Sequence, residues 1–350
     1  MERRASPGSE LWGEPLVEVR RGPLTESVHE IAACAVDARG EALLELGDVD
    51  APVYLRSTAK PFIAAASVKA GVVERFGLEP RELAVMAASH YGEPFHVDAV
   101  RSILRKIGLP ESALQCGAHP PYNAAAAAEL EARGEPFTAV HNNCSGKHAG
   151  ILALCLTMGC DPQTYLEASN PAEQTILEFC ARMTGDDPHH WPVGIDGCGI
   201  PVFATPLRRA ARAFMHFATL EGIDERDARA LATVRDAMLK YPEYVSGTGE
   251  FDSVLMANAG GTIACKGGAE GVHGDAAIGR GVGLGLKVID GARRAVAPAV
   301  LATLASLGAL PEQTARALDA EAHPSVKNRA GRNVGEIAIR RAILEKARKK

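Results

Sequence analysis

The sequence predicts an α+β chain: an antiparallel sheet flanked by helices, with strands drawn from both ends of the sequence. Three observations lead there. Half-apolar runs near the start are joined by a turn, a long middle carries helical periodicity, and strand character returns after residue 260. We expect one unit over residues 1–350. Its sheet is built from about 15–50 and 260–350, and a helical insertion spans about 57–250.

Residues 1–14 are polar, lack the apolar core of a signal peptide and are expected to be flexible. "LVEVRRG" and "ESVHEIAACAVDARGEALLELGD" then read as strands. Asp37-Ala38-Arg39-Gly40 supplies the turn of a hairpin. Helical patterns follow at 58–71, 80–88, 94–107, 123–133, 146–159, 171–184, 203–220 and 225–240, where Tyr241-Pro242 stops the run. In "GTIACKGGAEGVHGDAAIGRGVGLGLKVIDG" the glycines read as turns between short strands. Two helices, at about 293–307 and 334–348, close the chain.

Composition bounds the function. With 350 residues the chain can bury a large core, and 47% hydrophobic with 23% charged residues is a globular balance. A net charge of −5 argues against nucleic acid as a partner, and "RRAILEKARKK" reads as a solvated helix face. No run of about 18 apolar residues suggests a membrane span. Eight dispersed cysteines suit reduced thiols in a cytoplasmic enzyme rather than a disulfide framework.

Four stretches carry chemistry. In "RSTAKPF", Ser57 and Lys60 share one helical face, so a neutral lysine could take the serine's proton. Serine β-lactamases use this spacing, yet it arises by chance about once in a few hundred residues. Alone it is better read as a capping serine beside an exposed lysine. Ser89 in "AASHYGEPFH" and Lys266 in "CKGGAEG" add a later serine and a strand lysine beside glycines that permit close approach of a substrate. Finally, "NNCSGKHAG" and "GIDGCGIP" place Cys144, Lys147, His148 and Cys198 among small residues. Their types allow a zinc site, a Cys–His nucleophile or buried thiols.

Taken together, these stretches resemble the rhizobial-type (class 3) L-asparaginases of the asparaginase II family. The likeness runs from "LVEVRRGPLTESVH" through "CGAHPP", "NNCSGKHAGIL", "GIDGCGIPVFATPL" and "GEFDSVLM" to "NRAGRNVGEI". The resemblance implies a fold like serine β-lactamases and penicillin-binding proteins, hydrolysis of L-asparagine to L-aspartate and ammonia, and a homodimer. It implies two Ser–Lys pairs, Ser57 with Lys60 and Ser89 with Lys266, beside a Zn2+ held by Cys144, Lys147 and Cys198. Asp196 is then a carboxylate beside the metal or substrate, and Arg56 orients the pair or the substrate carboxylate. Asn170, Tyr241 and Cys265 depart from the family pattern. Rival readings are a Ser–Lys hydrolase of glutamine, β-lactams or peptides, separated by a substrate panel, and a zinc protein that releases no ammonia.

Overall fold

The computed structural model describes residues 11–349. Most of the expected flexible N-terminal segment lies outside them; within it, Glu14 already opens a strand. The strands are β1 (Glu14–Arg21), β2 (Leu24–Val36), β3 (Ala42–Leu46), β4 (Pro52–Tyr54), β5 (Val193–Ile195) and β6 (Pro201–Pro206). They continue with β7 (Ile263–Gly267), β8 (Val272–Ala277), β9 (Val282–Val288), β10 (Ser325–Lys327) and β11 (Asn333–Ile339). Eight strands form one sheet in the order β10-β11-β1-β2-β9-β8-β7, with β3 on β2. Every pairing in it is antiparallel. The two ends of the sequence therefore meet in one sheet, flanked by helices, as the sequence predicts.

Three local readings need correction. The stretch 334–348 is not one helix: β11 pairs with β1, and only Arg341–Ala347 is helical. Ile337, buried on β11, has its place fixed by that pairing. Residues 203–206 belong to β6, which joins β4 and β5 in a second, three-stranded sheet, and Pro206 sets the start of helix Leu207–Thr219. The third correction concerns glycine. Gly274, Gly283 and Gly285 are not turns but lie inside β8 and β9. Helix Leu207–Thr219 packs on β2, β8 and β9. A Cβ at Gly283 would sit 2.1 Å from the Ala211 carbonyl oxygen, so these strands need glycine for the helix to approach.

The insertion meets the sheet through helix Leu207–Thr219, whose Phe214 packs against Gly274 of β8, and through helix Phe251–Asn258 on β7. Phe62, Phe214 and Phe217 meet edge-to-face, joining the first helix after the Ser57 turn to the helix on the sheet. This contact places the turn at 56–59 beside β7 and β8.

Candidate active site

Ser57 lies on a one-turn 3-10 helix (Arg56–Ala59), and Lys60 opens α1 (Lys60–Lys69) with Pro61 in its first turn. Arg56 takes a left-handed backbone, φ 49°, one of three non-glycine residues to do so among those described. Ser89 follows the short helix Pro80–Met86 and is held by its N–H to the Val245 carbonyl. Lys266 lies on β7. Past it, a Cβ on Gly268 would come within 3.3 Å of the Ser57 nitrogen, so the strand end and the serine turn run side by side.

These elements enclose a cavity of about 420 Å3 lined by Ser57, Ser89, Asn143, Asp252 and Lys266, among others. Lys60 is buried, which removes the reading of a capping serine with a solvated lysine. Its partner differs from the expected one. Lys60 Nζ donates to Ser89 Oγ (3.0 Å), the Ala88 carbonyl (2.6 Å) and Cys144 Sγ (3.2 Å), while no hydrogen bond joins it to Ser57. Lys266 does not bond Ser89; it donates to the Gly267 carbonyl at 2.7 Å and lies 3.5 Å from Asp252. The four residues come to one place with altered pairings. Burial lowers the Lys60 amine to about 8; the Cys144 sulfur opposes this, and the charges of Lys147 and Lys266 add to it.

Cys144, Lys147 and Cys198 also converge. Lys147 Nζ lies 3.1 Å from Cys198 Sγ, and all three residues are buried. A hydrogen bond from Cys198 and the ammonium groups of Lys60 and Lys147 pull the Cys144 thiol well below its ordinary value, against burial. All eight cysteines are unpaired. Arg56 and Asp196 form an ion pair at 2.7 Å, and neither lines the cavity around Ser57. They border a separate crevice beside Lys60 and Lys147.

The sequence reading missed a second buried group. His273 is bonded through Nε2 to Asp252 (3.1 Å) and through Nδ1 to Asp275 (3.0 Å), and Asp252 accepts the Gly267 N–H at 2.7 Å. Donor atoms of Asp252, Cys265 and His273 lie within 4.8 Å of one another, a grouping that could hold a metal ion. With both ring nitrogens of His273 facing carboxylates, it reads more simply as a charge network behind Lys266. Alternation along β7 and β8 offered the only sequence signal for it.

The sequence profile described as L-asparaginase II matches residues 17–339. The chain belongs to the L-asparaginase II family. No curated protein sequence matches this family member. Among solved structures, Mglu in its native form is similar at 14% identity, covering 75% of this chain and 59% of its own, with a TM-score of 0.38. Mglu in its tris and glutamate form gives 14%, 85%, 63% and 0.39. A protein assigned as a beta-lactamase from Bacteroides dorei DSM 17855 gives 18%, 74%, 84% and 0.38. The chain thus spans about three-fifths of the length of Mglu. Among the described residues of this asparaginase II chain, no helix is long and apolar enough to cross a membrane.

The three departures from the family pattern have local explanations or lie apart from the cavity. Asn170 caps helix Pro171–Thr184 by accepting the Ala172 N–H at 2.9 Å. Tyr241 ends helix Glu225–Lys240, and Cys265 is buried beside the Asp252 backbone.

Proposed function

We propose that this chain hydrolyses L-asparagine to L-aspartate and ammonia, as a single catalytic unit, with Ser57 as nucleophile. The observation that carries the reading is a buried lysine, Lys60, bonded to Ser89, one of two serines that line one cavity, with burial lowering its amine to about 8. Ser57 attacks the side-chain amide carbon, and its proton passes to neutral Lys60 as the C–O bond forms. Ser89, bonded to Lys60, hands that proton to the departing nitrogen, the C–N bond breaks, and ammonia leaves. A water then gives a proton to Lys60 and its oxygen attacks the ester, and the proton returns to Ser57 as aspartate departs. The Ser57 N–H has no acceptor among the described hydrogen bonds and suits the developing oxyanion. Lys266 adds positive charge at the same wall of the cavity.

Ammonia release from asparagine and glutamine, with wild type and Ser57→Ala, tests the reading. We expect turnover of asparagine in the wild type alone. Turnover of glutamine, nitrocefin or peptides in preference to asparagine would overturn it.

Cys144, Lys147 and Cys198 would hold Zn2+. The fit rests on donor chemistry: two sulfurs and a lysine nitrogen meet out of solvent, and each sulfur already faces an ammonium group. When bound there, zinc supplies positive charge and a Lewis acid beside the cavity wall. Elemental analysis of unchelated protein should find about one zinc per chain, lost in Cys198→Ser. Because the nucleophile is a serine, metal loss should raise KM more than it lowers kcat. Metal-free protein as purified would remove the site from the reading. The homodimer that the family likeness implies is read directly from the solution mass.

A further inference from the structure

We infer that Arg293 and Glu250 form the clamp for the α-carboxylate and α-ammonium of the substrate at the cavity mouth. The inference rests on the asparagine reading above and extends it to the part of the substrate that does not react. Burial gives the cavity a direction. Ser57 and Lys266 are 8% and 1% exposed, whereas the side chains of Arg293 and Glu250 are 79% and 27% exposed. Ser57 and Lys266 lie at the floor and Arg293 at the rim, with Ser89 and Glu250 at intermediate depth.

An asparagine with its amide at the serines presents a carboxylate and an ammonium on the adjacent carbon, facing outward. The cavity must meet two opposite charges there. The charged groups at the floor are already engaged: Asp252 with His273 and the Gly267 N–H, Lys266 with the Gly267 carbonyl. Arg56 with Asp196, the pair the sequence suggested for this task, does not line the cavity. Among the described lining residues, Arg293 is the remaining cation. Glu270 is a second outer carboxylate, but its backbone is left-handed, φ 61°, and its carboxylate packs against Gly291.

Arg293 is also held in place. Its Nη2 donates to Glu250 Oε2 at 2.6 Å and to the Tyr91 hydroxyl, and the guanidinium carbon lies 5.8 Å from the Tyr91 ring centroid. Tyr91 is two residues from Ser89 and is fixed by its N–H to the Ser246 carbonyl at 2.9 Å. The rim is thereby tied to the segment that carries the Lys60-bonded serine. These bonds use one guanidinium nitrogen, which leaves further N–H donors for a carboxylate. Glu250 sits against Arg293, so the two side-chain charges stand adjacent, as the two charges on an α-carbon do.

The test is steady-state ammonia release by the full chain and by Arg293→Ala, Arg293→Lys and Glu250→Gln. The substrates are L-asparagine, 3-aminopropanamide (no α-carboxylate) and succinamate (no α-ammonium). Arg293→Ala should raise KM for asparagine at least about tenfold, with kcat within about threefold. It should leave 3-aminopropanamide unchanged, and Arg293→Lys should recover part of the loss. Glu250→Gln should narrow the preference for asparagine over succinamate. An unchanged KM in Arg293→Ala, or an equal loss on all three amides, overturns the clamp and leaves the asparaginase reading intact. A wild type that releases no ammonia from asparagine overturns both.

Discussion

Ser57→Ala should lower kcat for asparagine by at least about a thousandfold, because the variant retains the cavity and Lys60 but has no oxygen to form the acyl-enzyme. Lys60→Arg should do the same, since a guanidinium keeps its proton throughout the assay range. Ser89→Ala should be less severe: it breaks the 3.0 Å bond to Lys60 and interrupts proton delivery, but leaves a nucleophile. The order of these effects is the informative result. Ser89→Ala inactive with Ser57→Ala near wild type would transfer the nucleophile to the serine that Lys60 actually touches. The pH profile gives a second check. A base whose amine is lowered to about 8 is protonated and idle below that value, so kcat should rise with pH and level off above it. A flat profile, or an inflection only near the histidine value of about 6.5, would show that the base is not this lysine. His90 and His96 are poor substitutes, since both are buried and already bonded, to Ser145 and the Glu243 carbonyl respectively.

The second large effect concerns stability rather than turnover. Burial alone would lower the His273 imidazolium, but Asp275 and Asp252 on either side raise it to about 10. The folded-state value lies above the unfolded value of about 6.5. Its contribution is therefore complete below about 6.5 and is lost as pH rises through about 10. Asp252 acts in the opposite direction: despite burial, Lys266 and His273 hold its carboxyl far below the ordinary range, so its contribution is lost in acid. Removing the histidine leaves the buried Asp275 without its partner, while Asp252 keeps Lys266 and the Gly267 N–H, and a broken buried pair costs about 3–5 kcal/mol. Urea unfolding midpoints between about pH 6 and 10 should fall steadily in the wild type. His273→Gln should start lower and lack this component of the slope. Should that variant not fold, Asp275→Asn serves: with one carboxylate neutral, the loss should begin at lower pH. Wild-type and variant curves running parallel across the range would show that His273 is not charged in the fold.

What could be read in the sequence was what is local. Alternation in residues 16–46 and 261–291 is set by the pleat of a strand, and the three-residue spacing of Ser57 and Lys60 by the pitch of a helix. The grouping of Cys144 with Lys147 follows from one helical turn, and the family motifs brought Cys198 to them. Partners from distant segments were not legible. Lys60 is bonded to Ser89, 29 residues away, because the helix ending at Met86 delivers that serine over α1, and nothing in "RSTAK" records it. The strand at 333–339 looked helical because its pattern depends on an edge of β1 that lies over 300 residues earlier. Asp252, His273 and Asp275 become a network only when β7 and β8 pair in register and helix Phe251–Asn258 closes over them. Arg293 and Glu250 meet only near the rim of the cavity. Periodicity fixes which way a side chain points from its own element; which side chain it then meets is decided by strand register and helix packing, and these exist only in the folded chain.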